Sequence, residues 1–353
     1  MKAVILCAGE GTRMRPLTYS RPKHLLPIAN RPVIEWILAA LASAGITDIA
    51  VVVSPTTRAA FQAALGDGAE FGLRLSYIVQ DEPKGLAHAV ACAEGYAGGE
   101  PFLLYLGDNL FGVGVGGLLE VFQRGSCDTT ISLVHVEDPR RFGVARLEDG
   151  RIVQLVEKPE HPPSDLAVAG AYVFAPSIFD AIRRIEPSAR DELEITDAIQ
   201  RLVDDGRSVL PHAVEGWWKD VGRPRDMIIA NALLVAQLEP SVEGRIDGSS
   251  EVRGHVAIGP DATVGASTIE GPAVIGAGAQ VRNAVIGPNV AVGDGCILED
   301  CRIEHSILMD GASVRRLEHV GWSILGRDTE VTKGSSGSQA TLLLGDDSSL
   351  QLK

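Results

Sequence analysis

Residues 3–15 read AVILCAGEGTRMR, and the junction inside them sets the fold: the apolar or small residues Ala3 to Ala8 run straight into Gly9-Glu10-Gly11-Thr12-Arg13. A short unbroken apolar run suits a strand buried on both faces, as in the parallel sheet of an α/β protein. Such sheets bind ligands beyond the carboxyl ends of their strands, where this glycine loop falls. The loop is not a dinucleotide-binding turn, because Met14 stands in place of the third glycine and Pro16 blocks a regular helix. Nor does it carry the glycine-lysine ending of a P-loop. What is left is a backbone able to approach an anion, followed by Arg13, Arg15, Arg21 and Lys23, a combination suited to a triphosphate. On these residues alone, a surface loop with solvated charges reads equally well.

Outward from that junction, Pro32 opens a helical face of Ile34, Ile37, Leu38 and Leu41 that ends near Gly45. Apolar runs recur at 49–53, 75–79 and 102–106, with a helix-like stretch at 87–95, and strands alternating with helices predict a parallel α/β sheet. The chain has 353 residues, 45% hydrophobic and 22% charged, enough for a large core and a second domain. A net charge of -14 argues against a nucleic-acid-coating surface, whereas a small phosphorylated ligand needs only a local basic cluster. The five cysteines are scattered, with no Cys-x-x-Cys pair, which suggests neither a disulfide framework nor a zinc site and fits a reducing cytoplasm. Residues 1–8 are too short an apolar run for a secretory leader, and no stretch approaches the roughly 20 apolar residues of a membrane span.

Leu6 to Thr18, with Pro22-Lys23-His24-Leu25-Leu26-Pro27 downstream, resembles the signature of sugar-1-phosphate nucleotidylyltransferases. The resemblance continues through Val79-Gln80-Asp81 with Gly85-Leu86-Ala87, Gly107-Asp108-Asn109, Phe142-Gly143-Val144, Val156-Glu157-Lys158-Pro159, Glu192 to Asp197 and Gly216 to Gly222, in the order of the long-form glucose-1-phosphate thymidylyltransferases. Cys7 departs from the family's usual Ala or Gly and reads as a small buried residue. The resemblance implies a Rossmann-like nucleotidyltransferase domain with a mostly parallel sheet over residues 1–240, joining dTTP to glucose 1-phosphate with release of pyrophosphate. It implies a nucleotide site of Ala8, Gly9, Gly11, Thr12, Arg13, Gln80, Gly85 and Asp108, with Arg13, Lys23 and Asp108 catalytic. Gly143, Glu157, Lys158, Gly170 and Arg190 would hold the sugar phosphate, and Asp108 with Asp220 a Mg²⁺. The chemistry asks for these residue types, since the transfer opposes anion repulsion and needs alignment rather than a protein nucleophile. Gln80 offers donor and acceptor to a base edge, and Gly85 a close backbone approach to it. Glu194 and Asp197 read as helix caps or decoration. Uridylyl or guanylyl transfer, and a non-catalytic nucleotide-sensing protein, are the competing readings.

Beyond residue 240 the pattern changes. Val264, Val281 and Leu298 step by 17 residues, as do Ile269, Ile286 and Ile303, and Ile258, Ile275, Val292 and Met309. Intervals of six, six and five are the hexapeptide pattern of a left-handed parallel β-helix over 241–353, with repeats to about residue 332. Residues 334–338 read as a flexible link, and 340–344 as a strand capping the open end. An acetyltransferase built around His255, His305 or His319 is the rival use of such a domain; the plainer reading is an assembly and stability module that makes the protein a homo-oligomer.

Overall fold

The run Lys2–Leu6 is a strand, with Ala3, Val4 and Ile5 wholly buried, inside a nine-stranded sheet. The computed structural model describes residues 1–125, 127–333 and 339–352. It forms two compact units, Met1–Gly9 with Ile34–Asp220, and Glu10–Val33 with Val221–Lys353.

In the first unit, Lys2–Leu6 pairs in parallel with Asp48–Val53 on one side and Phe102–Leu106 on the other, and Arg74–Val79 continues the parallel half. The helical reading of 87–95 resolves into two helices, Leu86–Cys92 and Glu94–Ala97, interrupted at Ala93. Past Phe102–Leu106 the sheet reverses: Leu166–Phe174 runs antiparallel to it and to Thr129–His135, with a register shift between Val168 and Tyr172. Gly143–Glu148 and Arg151–Glu157 form the far edge. Val4, Leu6, Leu104, Phe174 and Ile199 belong to its buried core, where the Phe102 and Phe179 rings stack at 5.5 Å. Strand order turns around at Lys2–Leu6, so the chain beyond Leu6 and the chain beyond Leu106 leave the sheet side by side; the Gly107 N–H donates to the Leu6 carbonyl at 3.0 Å. This is the switch point at which open α/β sheets take ligands.

The second unit contains a left-handed β-helix of three parallel sheets. Val264, Val281 and Leu298 lie in register, as do Ile269, Ile286, Ile303 and Val320, all in one buried apolar core. Two expectations are corrected. Val292 pairs with Leu308, not Met309; Ile307, Leu308 and Met309 are all buried, so apolar spacing does not choose among them, and this coil is one residue shorter. Residues 340–344 are not one capping strand: Gln339–Ala340 and Leu343–Leu344 pair on two different faces, and Ser349–Leu352 pairs on the third, adding a further coil. The flexible-link reading of 334–338 lies outside the described residues.

The segment Glu10–Val33 belongs to this same unit. Pro27–Ile28 pairs with Arg31–Pro32 around Ala29 and Asn30, both at positive φ. Ala29 N–H donates to Asn231 Oδ1 at 2.9 Å, and Asn30 Nδ2 to the Val292 carbonyl at 2.6 Å. His305 lies between Asn289, at 3.0 Å, and the Trp322 ring, stacked at 4.9 Å, while His319 Nε2 meets Glu304 at 2.8 Å; His255 is exposed. Among the described residues no helix is long and apolar enough to cross a membrane.

Candidate functional site

Asp108 follows Phe102–Leu106 at the switch point, and a two-stranded ribbon fixes what surrounds it. Asn109–Phe111 pairs antiparallel with Trp218–Asp220, placing Asp220 directly across from Asn109, the neighbour of Asp108. Asn109 is buried and orders the cluster: its Oδ1 accepts from Gly170 N–H at 3.0 Å and Trp218 Nε1–H at 2.7 Å, and its Nδ2 donates to Asp108 Oδ1 at 2.9 Å. Two donors on one oxygen settle which end of the amide faces Asp108. A Cβ on Gly170 would lie 2.5 Å from Asn109 Cγ, so that glycine makes room for this amide. The carboxylate of Asp220, and that of Asp108 next to Asp220's cross-strand partner, are hard oxygen ligands that suit a divalent cation keeping waters and substrate oxygens in its shell rather than requiring a closed cage. Among the described residues there is no cluster of three or more His, Cys, Asp or Glu side chains able to hold a metal by themselves.

A second cluster gathers at the far edge of the sheet. Gly143 pairs with Glu157 across neighbouring strands, and a Cβ there would reach 3.1 Å from Glu157 Oε2 and 2.6 Å from Thr196 Cγ2. Glu157 receives Thr196 Oγ1–H at 3.2 Å, Arg190 Nη2 at 3.3 Å and Lys158 Nζ at 3.3 Å. Lys158 holds a left-handed backbone, φ +41, an uncommon state for a side-chain-bearing residue and one often found at functional sites. Glu194 departs from the helix-cap expectation. It precedes the helix Ile195–Asp204 without a side-chain capping bond. Instead its 3%-exposed carboxylate accepts from Ser188 Oγ at 2.8 Å and Arg190 Nη2 at 2.6 Å. Burial works against the Arg190 charge, yet Glu194, Glu157 and Glu192 hold its pKa above the ordinary value. Asp197, in the first turn of that helix, is pushed up by burial and by Glu194 and Glu157, with Arg190 opposing.

Gln80 is buried beyond the end of Arg74–Val79, and its Nε2 is engaged by the Gly85 carbonyl at 3.2 Å and His88 Nδ1 at 3.0 Å. Its donor end is therefore taken, and the acceptor end is what it can offer a base. Gly85 differs from expectation in a related way. At φ +98 its missing Cβ faces protein backbone, 2.5 Å from the Leu193 carbonyl oxygen, so the room it makes is filled by the chain itself.

Gly11 adopts φ +65, and a Cβ there would press on Thr18 Cγ2 at 3.1 Å and Lys23 Cβ at 3.2 Å. Thr18 Oγ1–H closes back on the Gly11 carbonyl at 2.8 Å. A single 3₁₀ turn, Thr12–Met14, buries Met14 and leaves Thr12 and Arg13 exposed beside it. Gly9 is exposed and Ala8 half-buried. Arg21 departs from the expected basic cluster, since its guanidinium is ion-paired with Asp346 at 2.6 Å. Asn109, Thr196 and Trp218 stand inside the quoted motifs with no role of their own assigned from sequence, and Ser188 lies outside those motifs.

The family described as nucleotidyl transferase matches residues 2–237, and the GMPPB C-terminal domain matches residues 269–351. A glucose-1-phosphate thymidylyltransferase of Streptomyces antibioticus is 44% identical, covering 100% of both chains. One from Streptomyces griseus is 42% identical over 100% of this chain and 99% of the relative. A Bacillus anthracis structure, provisionally named a glucose-1-phosphate thymidylyltransferase and solved with a sucrose, superposes with a TM-score of 0.63 at 36% identity over 66% of this chain and 94% of its own. With the switch-point carboxylate, the ribbon beside it and a family match spanning the whole nine-stranded sheet, the chain belongs to the nucleotidyl transferase family.

Proposed function

We propose that this protein transfers a thymidylyl group from dTTP to glucose 1-phosphate, releasing pyrophosphate, with Mg²⁺ as its metal. The observation that carries the reading is the Glu157, Lys158 and Arg190 cluster against Gly143, which offers a carboxylate to sugar hydroxyls and two cations to a phosphate on one sheet edge. The identity of base and sugar rests on the full-length likeness to the two Streptomyces thymidylyltransferases.

In this reading Arg190 and Lys158 grip the sugar phosphate and hold its oxygen toward the α-phosphorus, so that alignment supplies much of the rate. Gln80 presents its acceptor oxygen to the N3–H of the pyrimidine. Backbone N–H groups around Gly9 and Gly11, with Ala8 and Thr12, take the triphosphate, while Arg13 and Lys23 stabilise the charge that builds on departing pyrophosphate. Asp108 and Asp220 would hold Mg²⁺, which supplies neutralisation of phosphate charge when bound. No side chain has to become a nucleophile. Self-association through the solenoid, residues 241–353, belongs to the same proposal and is checked by light scattering.

The test is a panel of dTTP, UTP, GTP, CTP and ATP against glucose 1-phosphate, mannose 1-phosphate, galactose 1-phosphate and N-acetylglucosamine 1-phosphate, scored by pyrophosphate release. The highest kcat/KM is expected for dTTP with glucose 1-phosphate; a maximum at GTP with mannose 1-phosphate would reassign both substrates, and no release with any pair would remove the activity.

A further inference from the structure

The basic loop shares a compact unit with the solenoid, and the contact that joins them at the last coil is chemically specific. Asp346 sits at a corner of that coil, and its two carboxylate oxygens do different work. Oδ1 accepts the Arg327 backbone N–H of the preceding coil at 2.8 Å. The same device stacks earlier coils, where Asp294 Oδ1 accepts from Ala277 N–H at 2.8 Å and Asp310 Oδ1 from Asp294 N–H at 3.2 Å. Oδ2 leaves the solenoid and meets the loop instead, accepting Ser20 Oγ–H at 2.7 Å and Arg21 Nη2–H at 2.6 Å. At the comparable corner of the Asp310 coil, Oδ2 meets a solenoid residue, Arg327, at 3.3 Å. The Asp346 and Arg21 side chains are only 8% and 18% exposed, so the pair is partly shielded from water and salt. Gly345 brings the corner flush with the loop: a Cβ on it would stand 3.2 Å from the Pro16 carbonyl oxygen.

The loop is built to transmit that hold. Gly11, Thr18 and Lys23 are packed on one another, so fixing Ser20 and Arg21 fixes the stretch that carries Arg13 and Lys23. Its other end is tied to the solenoid by Asn30 on the Val292 carbonyl. We propose that Asp346 is a positioning residue for nucleotidyl transfer: through Oδ2 on Ser20 and Arg21, the last solenoid coil holds the triphosphate-binding loop in its working shape. This rests on the reading of the loop as the triphosphate site. It gives the β-helix a part in the chemistry beyond assembly.

Asp346→Asn separates the two oxygens. Asparagine keeps a carbonyl for Arg327 N–H, so coil stacking survives, but it presents an NH₂ to Ser20 and Arg21 and cannot accept from them. In the full-length protein, the KM for dTTP should rise about tenfold, the scale of losing a charge-assisted bond. The KM for glucose 1-phosphate and the thermal midpoint should stay within error. Backbone hydrogen exchange across residues 10–26 should quicken in the absence of substrate, and adding Ser20→Ala should give less than the product of the two single effects. Unchanged exchange and unchanged KM for dTTP would overturn the proposal. So would equal rises in both KM values with a lowered midpoint, which would make Asp346 merely structural. Arg13→Ala keeps the two readings apart: if it leaves dTTP kinetics intact, the loop has the wrong ligand, whereas if it impairs them and Asp346→Asn does not, only the positioning role fails.

Discussion

Asn109 and Glu194 show how much of this site is held by residues that touch no substrate in the proposed chemistry. Asn109 orients its amide through Trp218 and Gly170 and so fixes the Asp108 carboxylate; Glu194 does the same for the Arg190 guanidinium. Asp108→Asn and Asp220→Asn should each lower turnover by orders of magnitude with an unchanged circular dichroism spectrum; near-normal Mg²⁺-dependent rates in both would remove them from the metal site. Glu194→Ala should raise the KM for glucose 1-phosphate about tenfold, since it strips a buried partner from a cation, while the KM for dTTP stays put; partial recovery in Glu194→Gln would match a hydrogen-bonding role. The charged residues of the proposed site stand in stretches recognisable from sequence, and the structure places Glu157, Lys158 and Arg190 in one cluster. Their supports were not legible, because Ser188, Thr196 and Asn109 are ordinary polar residues until the sheet brings them to the edge. Glycines misled in one respect: Gly85 announces a tight approach, but sequence does not say that the approaching group is the backbone of Leu193.

At the scale of elements, the strands of the parallel half were readable as unbroken apolar runs and the repeat columns as steps of 17 residues over most of their length. The shorter coil was not, since three consecutive buried residues, Ile307, Leu308 and Met309, satisfy the pattern at any register. Inward columns carry the stability of the solenoid. Ile286 has no exposed surface, and Ile286→Ala should cost about 2–5 kcal/mol in urea unfolding through lost transfer energy and the cavity left behind. Cys296 and Cys301 are also inside; burial pushes both thiols up to about 12, so at pH 8 they stay protonated. Mass spectrometry after iodoacetamide treatment of the native protein should find neither alkylated, and both alkylated once urea opens the coils.

For the whole molecule, deleting residues 241–353 would remove Asn289, Val292 and Asp346, the groups that hold Asn231, Asn30, and Ser20 with Arg21 respectively. A catalytic region freed of a pure assembly module would keep most of its activity; the truncated chain is expected instead to lose most of its kcat/KM for dTTP even at temperatures where circular dichroism shows its sheet intact. Retention of full activity would return the solenoid to assembly alone.

The Arg21 to Asp346 pair spans 325 positions of sequence, which gives it a meaning during synthesis. A ribosome making about 5–20 residues per second delivers the loop early and the last coil tens of seconds later. Coils can stack one by one as they emerge, each needing only its neighbour. Ser20 and Arg21 have no such neighbour to wait beside, so a growing chain carries the basic loop without its Asp346 latch until residue 346 has emerged. If the proposed role holds, chains interrupted before residue 346 would be poor catalysts, because the latch is made 325 positions after the residue it holds.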